Sequence, residues 1–453
     1  MRSLTVLVFA ALVCTGAPAA LAQVQPAAAA RDPRFELPAT DDGLAGEGPI
    51  RRYDWFRNLW RARRAQWASE AGKDRGAVVF LGDSITQGWE HRLAQHFPGL
   101  KSANRGISGD TTRGLLLRLD EDVLALKPAG VVLLIGTNDL EEQAQPWIVA
   151  SNIRLLLARL KAHNPTMPVV INQVMPSSDT KKRPNYKIKR LNFLIRELVK
   201  DQPQVTLVDT WTLFATPQGD ANPAEFPDLL HLNDAAYAKW AAALRPVLET
   251  LGLLPVPADD FQPEPGFLSL FNGRDLSGWG FHATTEEELA GAKRWQAGEL
   301  EAAEWTVVKE PVAFDGQAAS PDGRFVARNG RLIVTTPPEN RRIQKLWTTR
   351  TFPQNFVLKL EFRPTPNADS GVYLRGPQLQ CRDYLLAGPY KQLKNFRPLD
   401  WNELVVTVRD GVAHATCNGE VLEAALSVPA DGPIGVEGDR GQMEYRRIRV
   451  QEL

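Results

Sequence analysis

The feature that most constrains this chain is a change in the spacing of its apolar residues, from short runs and helical repeats before residue 253 to strict alternation after residue 266. Residues 77–81, 131–135, 169–172 and 205–208 are apolar at nearly every position. Between them, residues 112–126, 147–163, 186–200 and 234–251 carry apolar side chains three and four apart, the spacing of a helix with one buried face. A strand that is apolar on both sides has to be covered on both sides. This half therefore predicts a parallel sheet between two layers of helices, an α/β three-layer sandwich. Beyond 266 the period is two: Phe356, Leu358, Leu360 and Phe362 share one face, with Val357, Lys359, Glu361 and Arg363 on the other. Turn-forming pairs recur at Asn272-Gly273, Asp315-Gly316, Asn329-Gly330, Asp410-Gly411 and Asn418-Gly419, so the second half predicts an all-β sandwich.

Four prolines in the run LLPVPADDFQPEPG separate the two patterns. They set a first domain at 51–252, a semi-rigid linker at 253–265 and a second domain at 266–453, with no sign of a core shared between them. At the other end, Met1-Arg2 precedes an apolar run over 4–13, and small residues follow, ending in Ala20-Leu21-Ala22. The run is too short for a bilayer, which takes about 20 residues. The pattern is that of a signal peptide, 1–22, cleaved before Gln23. The mature chain is then expected in the periplasm or outside the cell, without a transmembrane segment. It would begin with a flexible spacer at 23–50, rich in Ala, Pro and Asp. Cleavage removes Cys14 and leaves Cys381 and Cys417, a pair that an oxidising compartment could join. At 53–67 the spacing of Trp55, Phe56, Trp60 and Trp67 predicts a helix packed on the sheet. With 53 basic against 53 acidic side chains, no net field draws the chain to nucleic acid. Six histidines without an HExxH or a Cys/His cluster call for no metal and no cofactor.

The residues that can carry chemistry fall at strand ends, where a parallel sheet presents its ligands. Gly82-Asp83-Ser84 puts a hydroxyl where the 77–81 strand meets the next helix, although the tripeptide alone reads equally as a turn and a cap. It is not a G-x-S-x-G elbow, since Thr86 stands where the second glycine would be. Later strand ends add other parts of an acyl-transfer site. The glycines of 104–110 let a backbone N–H approach a ligand, Gly136-Thr137-Asn138-Asp139 offers an amide that can donate to an oxyanion, and Asp228-Leu229-Leu230-His231 lets a carboxylate orient an imidazole. Asp83, Asp110 and Asp139 read as caps or loop pins, Asp209 as structural, and His91, His96 and His163 as surface or packing residues.

The blocks GDSITQGW, NRGISGDTT, GTND and DLLHLN stand in the order and spacing of the four blocks of the SGNH (GDSL-type) hydrolase family. Over about 53–251 the chain resembles, among its members, the platelet-activating-factor acetylhydrolase-like esterases. The resemblance implies a flavodoxin-like sheet and action on short acyl esters. It also implies Ser84 as nucleophile, His231 as base, Asp228 as its orienter, and an oxyanion hole of the Ser84 N–H, the Gly109 N–H and the Asn138 side chain.

In the second half, FNGRDLSGW, DSGVYLR, Trp401-Asn402 and EYRRIRVQEL resemble the 3-keto-disaccharide hydrolase domain family. That likeness implies a concanavalin-like jelly roll and cleavage of 3-keto-glycosides. Where the family usually reads Tyr-Glu-Val-Gln, this chain has Pro377-Gln378-Leu379-Gln380, and an amide cannot serve as general acid or base. Glu361, Asp383 and Glu437 remain as candidate acids. Trp279, Arg375, Gln378 and Trp401 are candidate substrate-binding residues; Trp279, Trp305 and Trp401 either pack in a core or stack on sugar rings. The expected function is that of a secreted serine esterase acting on a small ester or an acetylated glycan. Two alternatives stand beside it: 3-keto-glycoside cleavage by the β-sandwich, and a glycan-binding module carrying a decayed esterase.

Overall fold

A computed structural model describes residues 32–90, 92–200, 202–296, 306–336 and 345–453. The expected signal peptide, the first part of the spacer, His91 and Trp305 lie outside the described residues.

In the first domain β1 (Val78–Gly82), β2 (Ser102–Gly106), β3 (Gly130–Leu134), β4 (Val169–Asn172) and β5 (Val205–Val208) form a parallel sheet in the order β2-β1-β3-β4-β5. Side-chain parity divides each strand between two cores. Val79, Leu81, Val131, Leu133, Val169 and Ile171 face one layer, while Val78, Phe80, Val132, Leu134 and Val170 face the other. This is why the strands read as unbroken apolar runs. The covering helices are α1 (Asp54–Asp74), α2 (Ser84–Gln87), α3 (Arg92–His96), α4 (Thr112–Asp122), α5 (Thr137–Glu141), α6 (Pro146–His163), α7 (Asn185–Val199), α8 (Thr210–Phe214) and α9 (Asp234–Thr250). On α1, Phe56, Trp60 and Trp67 are buried as the spacing predicts, whereas Trp55 is half exposed. Residues 32–50, expected as flexible spacer, are packed instead: Leu37 and Ile50 join Phe56, Trp60 and Ile107 in a small core, and Arg52 and Arg113 both pair with Asp41.

The second domain is a sandwich of two antiparallel sheets. One runs β17-β16-β15-β12-β19-β10-β9 with β6 added on β19, and the other β14-β13-β18-β11-β7-β8. In chain order these are β6 (Leu268–Ser269), β7 (Leu276–Phe281), β8 (Val312–Phe314), β9 (Phe325–Arg328), β10 (Arg331–Val334), β11 (Lys345–Thr348), β12 (Phe356–Pro364), β13 (Asp369–Leu374), β14 (Gln378–Arg382), β15 (Asn402–Arg409), β16 (Val412–Cys417), β17 (Glu420–Ser427), β18 (Ile434–Glu437) and β19 (Met443–Glu452). Among the described residues, two helices accompany them, α10 (Glu286–Gln296) and α11 (Tyr384–Ala387). Phe356, Leu358, Leu360 and Phe362 are all fully buried between the sheets. Asn329-Gly330, Asp410-Gly411 and Asn418-Gly419 have positive φ at both residues, as two-residue hairpin turns require. Cys381 and Cys417 are free rather than joined; they stand on β14 and β16, in opposite sheets, as buried packing residues.

The outer face of the larger sheet is not a solvent face. Glu249, at the end of α9, pairs with Arg331 at 2.9 Å and Arg363 at 2.7 Å, and both arginines also pair with Glu444 at 2.7 and 2.6 Å. All four side chains are at least nine-tenths buried. Gln442 donates to Pro246 O and Thr250 Oγ1, and Asn367 to Asp209 Oδ2 at 2.9 Å. Leu386 and Leu399 pack on the first-domain core that contains Phe214 and Phe226. The proline-rich segment lies along the same sheet, with Asp259 on Arg447 and Glu264 on Arg449 and Lys359. The alternation that put Lys359, Glu361 and Arg363 on a polar face was right about the face. It could not tell that another domain and the connecting segment occupy it.

Candidate active site

Two separate chain segments bring Ser84, Asp228 and His231 together at the carboxyl end of the parallel sheet. Asp83 caps α2 by accepting from Ile85 N at 3.0 Å, which leaves Ser84 as the first residue of that helix, beside the end of β1. The loop before α9 supplies the other two groups. Asp228 Oδ1 accepts from the backbone N–H of Leu230 and of His231, at 3.1 and 2.7 Å, and this turns the loop back on itself with Leu229 at φ 64°. Asp228 Oδ2 then meets His231 Nδ1 at 2.7 Å, and His231 Nε2 meets Ser84 Oγ at 3.0 Å. Ser177 Oγ holds the loop by donating to Leu229 O at 2.8 Å. Partial burial works against the charge on Asp228, yet the His231 N–H, the imidazole and the Leu230 N–H together hold its carboxyl down at about 2.

The other sequence-selected groups stand in the loops that follow β2 and β3. The N–H groups of Ser84 and Gly109 make no hydrogen bond among the described residues. Gly109 sits at φ 86°, and an added Cβ would lie 2.6 Å from the Trp55 ring, so both conformation and space require glycine there. Asn138, almost fully buried, donates one amide hydrogen to Asp110 O at 2.9 Å. Its Oδ1 accepts from Arg183 Nη2 at 2.9 Å, so the amide cannot turn over without losing both bonds. Arg183 is itself buried and is anchored on Thr137 O, Thr137 Oγ1 and Glu141. Sequence reasoning missed Arg183: in the run Lys181-Lys182-Arg183-Pro184 nothing distinguishes it from solvated basic residues.

The acidic residues read as structural behave so. Asp110 pairs with Arg118 at 2.8 Å inside the domain. Asp139 accepts from Thr112 N at 3.0 Å and from Thr112 Oγ1 at 2.5 Å, and burial without a cation beside it pushes its carboxyl up to about 7. Asp209 caps α8 by accepting from Thr212 N.

In the second domain the four candidate binding residues do not gather. Trp279 is fully buried and its Nε1 donates to Leu270 O at 2.7 Å; it is a core residue. Arg375 is buried too, because a positive φ just past β13 breaks the alternation and sends its guanidinium to Pro429 O and Gln354 O. Trp401 leads into β15 of the larger sheet and lies between the guanidiniums of Arg363 and Arg446, 4.9 and 4.0 Å away, facing the seam between domains. Only Gln378 faces the outer side of the smaller sheet, where its amide donates to Glu437. Cross-strand register adds the residues that were missed: Trp347 opposite Gly435, and Tyr373 opposite Gly435 and Gln378. Tyr373 OH donates to Glu437 at 2.8 Å, and His282 stacks on Trp347 at 5.4 Å. Burial raises the Glu437 carboxyl above its ordinary value. Strict alternation over β13 could have found Tyr373, since Val372 and Leu374 go inward. Of the other candidate acids, Glu361 is paired with Arg446 and Arg447, and Asp383 is buried and accepts from Asn367 N.

Among known proteins, residues 80–239 match the GDSL-like lipase/acylhydrolase family, and residues 266–451 match the 3-keto-alpha-glucoside-1,2-lyase-like domain. The human platelet-activating factor acetylhydrolase IB subunit alpha2 is 27% identical over 195 residues, 42% of this chain and 84% of that protein. The bovine subunit alpha1 is 26% identical over 193 residues, 42% and 82% of the two chains. A GDSL-like lipase structure from Bacteroides thetaiotaomicron is 27% identical, with a TM-score of 0.38, covering 42% of this chain and 98% of its own.

Proposed function

From a chain that joins a GDSL-like lipase/acylhydrolase domain to a 3-keto-disaccharide hydrolase-like domain, and is on that ground a hydrolase acting on esters, we propose a serine esterase that removes short acyl groups, acetyl above all, from carbohydrate. We propose further that the chain is exported and cleaved before Gln23, which N-terminal sequencing of the secreted protein tests. What carries the esterase reading is the unbroken line of hydrogen bonds from Asp228 through His231 to Ser84.

Ser84 Oγ attacks the ester carbonyl carbon as its proton passes to His231 Nε2. The carbonyl oxygen takes the negative charge among the N–H groups of Ser84 and Gly109 and the second amide hydrogen of Asn138. Collapse breaks the bond to the alcohol, which leaves with the proton from His231. Water then repeats the sequence on the acyl-enzyme and releases the carboxylic acid and Ser84. Asp228 keeps Nδ1 protonated, so that Nε2 is the basic nitrogen throughout. Ser84→Ala is expected to lower turnover of p-nitrophenyl acetate on the order of 10⁴-fold. A folded variant with wild-type turnover would remove the assignment.

Glu437 favours a second reading for the β-sandwich. A carboxyl raised by burial and held by Tyr373 and Gln378 is suited to give or take a proton beside a sugar seated on Trp347. The full chain with Ser84→Ala, incubated with a 3-keto-glucoside, should release a free or unsaturated sugar, and Glu437→Gln added to it should stop the release. Binding without release would leave the sandwich a glycan-binding module.

A further inference from the structure

The aromatic pair at the start of α1 lies outside the region matched to the esterase family and outside every role assigned above. Tyr53 and Trp55 are 53% and 51% exposed, among the more exposed large hydrophobic side chains of the molecule. Their rings are nearly parallel, 10° apart in plane, with centroids 6.3 Å from each other. Helix amphipathicity explains Phe56, Trp60 and Trp67, which point inward, but gives no reason for two large rings on the solvent side. Their position does. A Cβ added at Gly109 would lie 2.6 Å from Cη2 of the Trp55 indole, so the rim of that ring stands beside the glycine to which the esterase reading gives an oxyanion-hole N–H. The ring's other neighbour is Phe56, edge-on at 5.6 Å, which fixes the indole.

We propose that Trp55, extended by Tyr53, is the subsite for the alcohol half of the ester, and that it takes the face of a pyranose ring. The proposal rests on the esterase reading and names its substrate class. An indole face is larger than an acetyl methyl can cover and suits a six-membered ring. The open outer side suits a sugar within a longer chain. The rim separates this from a lipid tail: Arg51 donates to Glu142 at 2.8 Å, and the Tyr53 hydroxyl lies 3.5 Å from the same carboxylate. Charged groups in hydrogen-bond range of the platform edge match sugar hydroxyls and would desolvate at a loss against an alkyl chain.

The test uses the full-length protein and the ratio of kcat/KM on acetylated xylan to that on vinyl acetate, which has no ring. Trp55→Ala should lower this ratio about tenfold, and Trp55→Phe should restore most of it. Any effect of the indole on the Gly109 N–H falls on both substrates and cancels. An unchanged ratio overturns the proposal, and so does a selective loss on vinyl laurate, which would make the platform an acyl-chain site. Calorimetric binding of a xylo-oligosaccharide separates failure of the subsite from failure of the esterase reading. If the wild type hydrolyses none of the esters but binds the oligosaccharide and Trp55→Ala does not, the subsite stands without the chemistry. If neither protein binds it, the subsite falls.

Discussion

Arg183 holds the carbonyl end of the Asn138 amide at 2.9 Å, so the amino end faces Asp110 O and, on the esterase reading, keeps its second hydrogen for the oxyanion. Replacing Arg183 with methionine keeps much of the aliphatic stem and removes the bond, leaving the amide free to turn its oxygen toward a developing negative charge. Arg183→Met is therefore expected to lower kcat about 10- to 100-fold with KM little moved, and Arg183→Lys to recover part of the loss. A change mainly in KM would show that Arg183 holds substrate instead. A second residue-scale effect concerns pH. Asp139 is raised to about 7 by burial against an ordinary 3.8, so the native state keeps a proton that the unfolded chain has already lost between those values. Its contribution then falls as pH rises from about 4 to about 7 and levels beyond. Urea unfolding of the wild type should show that decline, and Asp139→Asn should show a smaller one. Equal slopes would mean that Asp139 is ionised throughout.

Among elements, those that obey one local rule were the legible ones. Unbroken apolar runs became β1, β3, β4 and β5, and three of the five turn pairs, Asn329-Gly330, Asp410-Gly411 and Asn418-Gly419, became hairpins, because each needs only its own neighbours to specify it; Asn272-Gly273 and Asp315-Gly316 did not. The turn between β16 and β17 shows how much local chemistry matters. Asn418 and Gly419 both hold positive φ, and the Asn418 side chain also reaches Asn395 O and Asn402 Oδ1. Gly419→Ala should cost about 1–2 kcal/mol in chemical denaturation, the penalty of a side chain in the left-handed region; a neutral result would mean the turn relaxes to another type. What was illegible depended on partners far away in sequence. Ser84, His231 and Asp228 were found through their blocks, but Arg183 needed the fold to bring it to Asn138 across 45 residues. Arg375 broke its strand's alternation through one backbone angle, and the choice for Trp401 between packing and a sugar face stayed open because the sequence does not say which of two sheets β15 joins.

At the scale of the whole molecule, the four-charge cluster of Glu249, Glu444, Arg331 and Arg363 decides how independent the two domains are. Removing the charge from Glu249 leaves two buried guanidiniums against a single carboxylate, an imbalance that typically costs about 3–5 kcal/mol. Glu249→Gln is expected to lower the melting temperature and to split one calorimetric transition into two, as each domain comes to unfold alone. One unchanged transition would show that apolar contacts such as those of Leu386 and Leu399 hold the seam without it. The cluster also bears on how such a protein can be recombined. A foreign sandwich grafted after the proline-rich segment would meet Glu249 without two arginines and a glutamate in matching register on β10, β12 and β19, and would leave a carboxylate stranded at the join. Exchange is therefore limited less by the length of the tether than by a lock whose key is spread over three strands, and the two halves are expected to travel through evolution as a matched pair.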